Sequence, residues 1–209
     1  MTQKERIRAL LLEWSSVQKF LKRAEQINQL AVIPAINELR YAGRILVFAL
    51  SSELYKDGFK EAHDSEDELY NISIDEALVI GEQYIRNAKH DISDSLIYFF
   101  QKRADEINAK FGAASVAEKH PKYSDFLKNL KDARGLIIQS RGDISTRDVN
   151  YVEVIKKIDD LVSDYFVLDK SEVFFEIESE KQRSKITIYK TLSAVLGATS
   201  VVLACILIF

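Results

Sequence analysis

Apolar residues recur every three or four positions along most of this chain, the spacing that places them on one face of an α-helix. At the start, Thr2 and Glu5 form a capping-box signature, and Leu10, Leu11, Trp14, Val17, Leu21 and Ala24 follow at helical spacing. This predicts a first helix reaching about Asn28. Pro34 sits where a second helix begins, since the first turn does not use its missing N–H. Ala35, Leu39, Ala42, Leu46 and Ala49 form one apolar line of that helix, with Ile36, Gly43, Val47 and Leu50 beside it. So broad an apolar sector predicts a central helix. Opposite runs a narrow polar line, Asn37, Arg40, Tyr41 and Arg44, suited to an inter-helix polar network. Residues 57–72 are acidic and read as a solvated loop, His63 included, because no ligand spacing marks a metal there.

A long helix is predicted from Ile74 to Phe111, with Gly112 as its C-cap. Ala77, Ile80, Gly81, Tyr84, Ala88, Ile92, Leu96, Phe99, Ala104, Ile107 and Phe111 carry its apolar stripe. Gln83, Arg86, Asn87, His90 and Asp94 line another face. After a connection over 113–121, a fourth helix covers about 122–140 and is broken by Gly142. A fifth covers about 145–167. From Asp169 to Lys185 charge alternates with apolar residues, as in a stalk. The expected architecture is all-α: a bundle of about five helices over residues 1–168, a charged stalk over 169–185, and a C-terminal transmembrane helix over 186–209.

The last element rests on a change of pattern. Thr191 to Phe209 is a 19-residue run without a charge. As a helix it is about 28 Å long, near the roughly 30 Å of a bilayer's hydrocarbon core. Lys181, Arg183, Lys185 and Lys190 precede it, and positive charge stays on the cytoplasmic side. The N-terminal stretch lacks the pattern of a secretory signal. A tail-anchored, single-pass membrane protein with its bundle in the cytoplasm is therefore expected, and the bilayer is its first partner. Within the run Ser193, Gly197, Ser200 and Ala204 are small and spaced 4, 3 and 4. Such a face lets helices approach closely in lipid, which predicts a homo-oligomer assembled through those four positions.

Composition narrows the picture further. Two Pro and seven Gly leave little turn punctuation for a sheet. A net charge of −3 carries no DNA-binding signal. The one cysteine, Cys205, lies in the apolar run, so neither a disulfide framework nor a zinc cluster is expected. No cofactor motif and no metal site are read from the chain.

Candidate chemistry centres on Arg86, Asn87 and His90. Four residues apart on a helix, Arg86 and His90 leave from one face and can meet one anion. An imidazole can move a proton, and a guanidinium can hold a phosphate whose charge grows in a transition state. Arg86 and His90 suit a structural polar network with Asp94, Glu82 or a neighbouring helix's carboxylate better than they suit a catalytic site. Arg134, Arg141 and Arg147 flank a bend, as a phosphate-binding surface or a solvated face.

An all-α bundle with an Arg-polar-x-x-His element on a long helix resembles the HEPN superfamily, whose members include metal-independent RNases. The three residues between Arg86 and His90 are fewer than that family usually has. A HEPN-like bundle joined to one membrane span is similar to the membrane accessory effectors of RNA-targeting CRISPR defence systems. That resemblance implies an oligomeric effector that permeabilises the inner membrane of a prokaryote, with RNA or an RNA-guided effector complex as partner. The alternatives are a membrane-tethered endoribonuclease using Arg86, Asn87 and His90, and a tail-anchored adaptor without activity.

Overall fold

Ser73 and Glu76 cap each other's backbone amides and start the helix that the others pack on, α3 (Ile74–Phe111). At 38 residues it is about 57 Å long. The computed structural model describes residues 2–54 and 72–208, without the side chains of 54, 178–179, 182–183, 192 and 194–208. The expected acidic loop, His63 included, lies outside the described residues over 57–71. Among the described residues all regular structure is helical.

The N-terminal half of α3 packs on α1 (Gln3–Asn28) and α2 (Ile33–Leu54). Helix α1 runs parallel to it: Arg6 pairs with Asp75 at one end, and Asn28 Nδ2 donates to Ser95 at the other. The Thr2–Glu5 capping box is formed. Helix α2 runs antiparallel, with Tyr41 stacked on Tyr84 and Ile45 against Gly81. The alanine line of α2, Ala35, Ala42 and Ala49, is fully buried. Gly81 answers it on α3: a Cβ there would lie 2.9 Å from Ile45 Cγ2 and 3.0 Å from Leu10 Cδ2. Small side chains thus set how closely these three helices approach.

The second apolar line of α2 does not make it central. Ile36, Val47 and Leu50 face solvent, and α2 packs on α1 and α3 at the edge of the bundle. The central helix is α3, which packs on α1 and α2 and also serves a second group of helices. That group packs on its C-terminal half.

Helix α4 (Ala113–Lys119) forms where a plain connection was expected. Its AASVAEK sequence is rich in helix formers, and buried Val116 pins it. Gly112, with φ of 79°, turns the chain into it. Helix α5 (Tyr123–Gly142) returns antiparallel to α3, with Phe126 against Phe100 and the Tyr123 hydroxyl on Asn108. Gly142 is the last residue of α5, where the sequence placed the break.

A 3-10 turn over Ile144–Thr146 leads into α6 (Arg147–Ile208), one helix of 62 residues. The expected fifth helix, stalk and C-terminal run are all segments of it, without a break at 168 or 185. Val154, Ile158, Leu161, Tyr165 and Leu168 are its buried line. Bundle contacts continue past 168: Arg103 bonds Glu172 at 2.7 Å, Lys110 pairs with Glu176, and Phe175 packs on Phe111. Among the described residues no helix is long and apolar enough to cross a membrane. The side chains of the apolar run from Ala194 to Ile208 are outside the description, those of Ser200 and Ala204 with them. Ser193 is exposed, and its hydroxyl donates to the Lys190 carbonyl.

Because Gly81 sits against a β-branched side chain that cannot swing away, Gly81→Val should destabilise the fold by about 2 kcal/mol in urea unfolding. Ile45→Ala in the same chain should recover part of that loss, giving a double-mutant cycle that is not additive.

Candidate functional site at the joint of α3 and α6

Midway along α3, the first turn of α6 and the last turn of α5 arrive at one level. The short link between those two helices brings both ends to the same place. Arg86, His90 and Asp94, one turn apart on α3, meet Arg147, Asp148 and Tyr151 from α6 and Arg141 from α5.

His90 is the most enclosed of them, 5 % exposed. Its ring stacks on Tyr151 with centroids 3.8 Å apart. Nε2 lies 3.5 Å from Asp148, beyond good hydrogen-bond length, and Nδ1 is buried without a partner. Asp148 also lies 3.7 Å from Arg86 Nε. Asp94 is held more firmly: the Tyr151 hydroxyl donates to it at 2.7 Å and Arg141 at 2.9 Å. Burial and the Asp94 carboxylate both push the Tyr151 phenol up, so it stays a neutral donor.

Burial, then the Arg147 guanidinium, lowers the His90 imidazole to about 4, against the opposing pull of Asp148 and Asp94. At neutral pH the ring is uncharged. It is then a weak base, and it has no ready proton to give as an acid. Asp91, next along α3, is raised by burial and by Glu38 of α2.

The sequence-derived trio is only partly united. Arg86 and His90 both face Asp148, as their spacing requires. Asn87 turns toward α2 instead: its Oδ1 accepts from Gln83 at 2.9 Å and its Nδ2 donates to Glu38 at 3.3 Å. Arg86 donates to Gln83 at 2.8 Å. The polar line of α2 brings no cation to His90. Arg40 lies over the Tyr41 ring, Arg44 is exposed, and Asn37 is half-buried. The carboxylate of Glu38 takes the place expected for positive charge. Of the three arginines flanking the bend, Arg141 and Arg147 reach the joint, whereas Arg134 bonds Gln101. The sequence pattern did not single out Asp148 and Tyr151, although their spacing of three puts them on one helical face. Among the described residues no group of three His, Cys, Asp or Glu side chains could hold a metal ion.

No family model matches this chain, and neither a curated protein nor a solved structure is significantly similar to it.

The arrangement can hold an anion and can lock two helices together; it is poorly suited to moving protons near neutrality. The titration of His90 provides a test. Unfolded, the imidazole has its usual value near 6.5, so between 6.5 and 4 the unfolded chain takes up a proton that the folded chain refuses. Stability is therefore complete above about pH 6.5 and falls as the pH is lowered toward 4, by up to about 3 kcal/mol. His90→Phe keeps a ring against Tyr151 and removes the titration. Urea unfolding at several pH values should give a shallower slope for that variant than for the parent chain over this window.

Proposed function

We propose that this chain is a membrane-held effector: its C-terminal run inserts in the bilayer, copies associate through it, and the helical bundle governs the resulting leak. The observation that carries this reading is the continuity of α6, which leaves the joint with α3 and runs without a break into the uncharged stretch beginning at Thr191. From Glu176, the last bundle contact among the described residues, to Thr191 is 15 residues, a stem of about 22 Å if straight. The stem carries exposed Lys181, Lys185 and Lys190 on the approach to the run. This charge suits the cytoplasmic face of an anionic leaflet. Ser193, Gly197, Ser200 and Ala204 supply the close-packing face for self-association. A role in prokaryotic antiviral defence follows from the resemblance to membrane accessory effectors of RNA-targeting CRISPR systems.

The endoribonuclease reading draws on Arg86 and His90 sharing one face. A buried imidazole with a pKa of about 4 serves it poorly, and Asn87 is committed to Gln83 and Glu38. The adaptor reading shares the anchor but predicts no leak.

The test is membrane potential in cells expressing the full chain beside a chain ending at Lys185. Depolarisation is expected from the full chain only, and Ser193→Leu combined with Gly197→Leu should reduce it at least tenfold by blocking close approach. An unchanged potential with RNA decay would favour the endoribonuclease. An unchanged potential without RNA decay would leave the adaptor.

A further inference from the structure

The outward face of α6 carries a pattern that the bundle does not use. Phe166, Lys170, Val173, Ile177, Glu180 and Ser184 are spaced 4, 3, 4, 3 and 4, the spacing of a coiled-coil seam. All six are exposed. The same spacing runs back toward the start of the helix, to Val152 and Val149. Phe166 is 48 % exposed, Val173 58 % and Ile177 47 %, and Phe174, beside the seam, is 72 % exposed. Together they make an apolar patch on the order of a few hundred Å², the size that marks an interaction site on a monomer.

Two charges sit on the seam, Lys170 and Glu180, and neither is paired with an opposite charge among the described residues. Lys170 lies three residues before Val173, and Glu180 three after Ile177. The seam is therefore symmetric in position about its middle and opposite in charge. This selects both the partner and its direction. A second α6 laid parallel puts Lys170 on Lys170 and Glu180 on Glu180, where like charges repel. Laid antiparallel about that midpoint, it sets Val173 against Ile177 twice and Lys170 against Glu180 twice. Phe166 then meets Ser184, and Phe174 comes within a turn of its own copy. The same register lays residues 191–203 of one chain along residues 147–159 of the other, past exposed Val149 and Val152.

We propose that α6 pairs antiparallel with α6 of a second copy of this chain, through the seam from Phe166 to Ser184, before the chain reaches a membrane. The apolar patch supplies the attraction, and the two Lys170–Glu180 pairs fix register and direction. An antiparallel pair points the two C-terminal runs in opposite directions. It is therefore not the arrangement of copies that cross one bilayer from the same side. It shelters each uncharged run beside the other chain's Val149 and Val152 until the pair comes apart. Only this last consequence, storage of the run, rests on the proposed membrane function; the pairing does not.

The experiment uses the full chain in cells, with Cys205→Ser so that every cysteine is an introduced one. A short, membrane-permeant bismaleimide is the probe, and covalent dimer is scored on the whole lysate. Phe166→Cys and Ser184→Cys in one chain should give a strong dimer band. Either alone should give about fivefold less, because in this register each lies about 27 Å from its own copy. Lys170→Glu in the double-cysteine chain should lower the dimer about fivefold. Adding Glu180→Lys should restore it to within about twofold, since exchanging the signs recreates both pairs. All four positions are exposed, so none of these changes touches the core. Equal dimer from Phe166→Cys alone would overturn the proposal, because it reports a parallel pair. So would a double-cysteine chain that gives no dimer, or a charge exchange that fails to rescue. The cross-link is read whether or not the cells depolarise, so its outcome is separate from that of the membrane reading.

Discussion

The close approach of α1 and α2 to α3 depends on small side chains. Gly81 has no room for a methyl group between Ile45 and Leu10, and Ala35, Ala42 and Ala49 give α2 a narrow inner edge. With that spacing fixed, only half the length of α3 is covered. The last third, from about Phe99 onward, needs its own cover, which α5 and α6 supply through Phe126 and Tyr165 against Phe99 and Phe100. The molecule is thus two small helical groups built along one shared helix, meeting at His90 and Asp94.

That meeting point gives α6 its importance. The helix is fastened to α3 at two levels. Near its start Tyr151 stacks on His90 and bonds Asp94, while the contacts of Asp148 are loose. Near the end of α3 it is tighter: Arg103 holds Glu106 and Glu172, Lys110 holds Glu172 and Glu176, and Phe175 closes on Phe111. Partly buried networks of this kind hold geometry better than isolated surface pairs do. A shift at the loose end must be carried by the same rigid helix that the tight end aims away from the bundle. Under the proposed function, a small change in charge at the joint reaches the C-terminal run by this route.

Much of this was legible in the chain. The Thr2–Glu5 capping box marked the start of α1 and Gly112 the end of α3, because local hydrogen bonding decides them. The alanine line of α2 was likewise plain. Periodicity did not tell which helix is central: Ile36, Val47 and Leu50 look like core, yet they face solvent, since pattern reports amphipathicity and not what lies opposite. The site was half legible. Arg86 and His90 share a face by helical geometry. Their partners Asp148 and Tyr151, and the Arg141 that binds Asp94, come from distant segments, and only packing brings them there. Glu38 beside Asn87 depends in turn on the antiparallel register of α2, which the alanine spacing does not specify.

The claim on which the rest turns is that α6 is one uninterrupted rod from the joint to the C-terminal run. Amide hydrogen exchange on the full chain in lipid nanodiscs measures it directly. Slow exchange continuing from Asp148 through the stem between Ile177 and Lys190 is the predicted result, since every amide there is paired within the helix. Fast exchange confined to that stem would contradict the claim, because a frayed stem could not carry a change at the joint to the membrane.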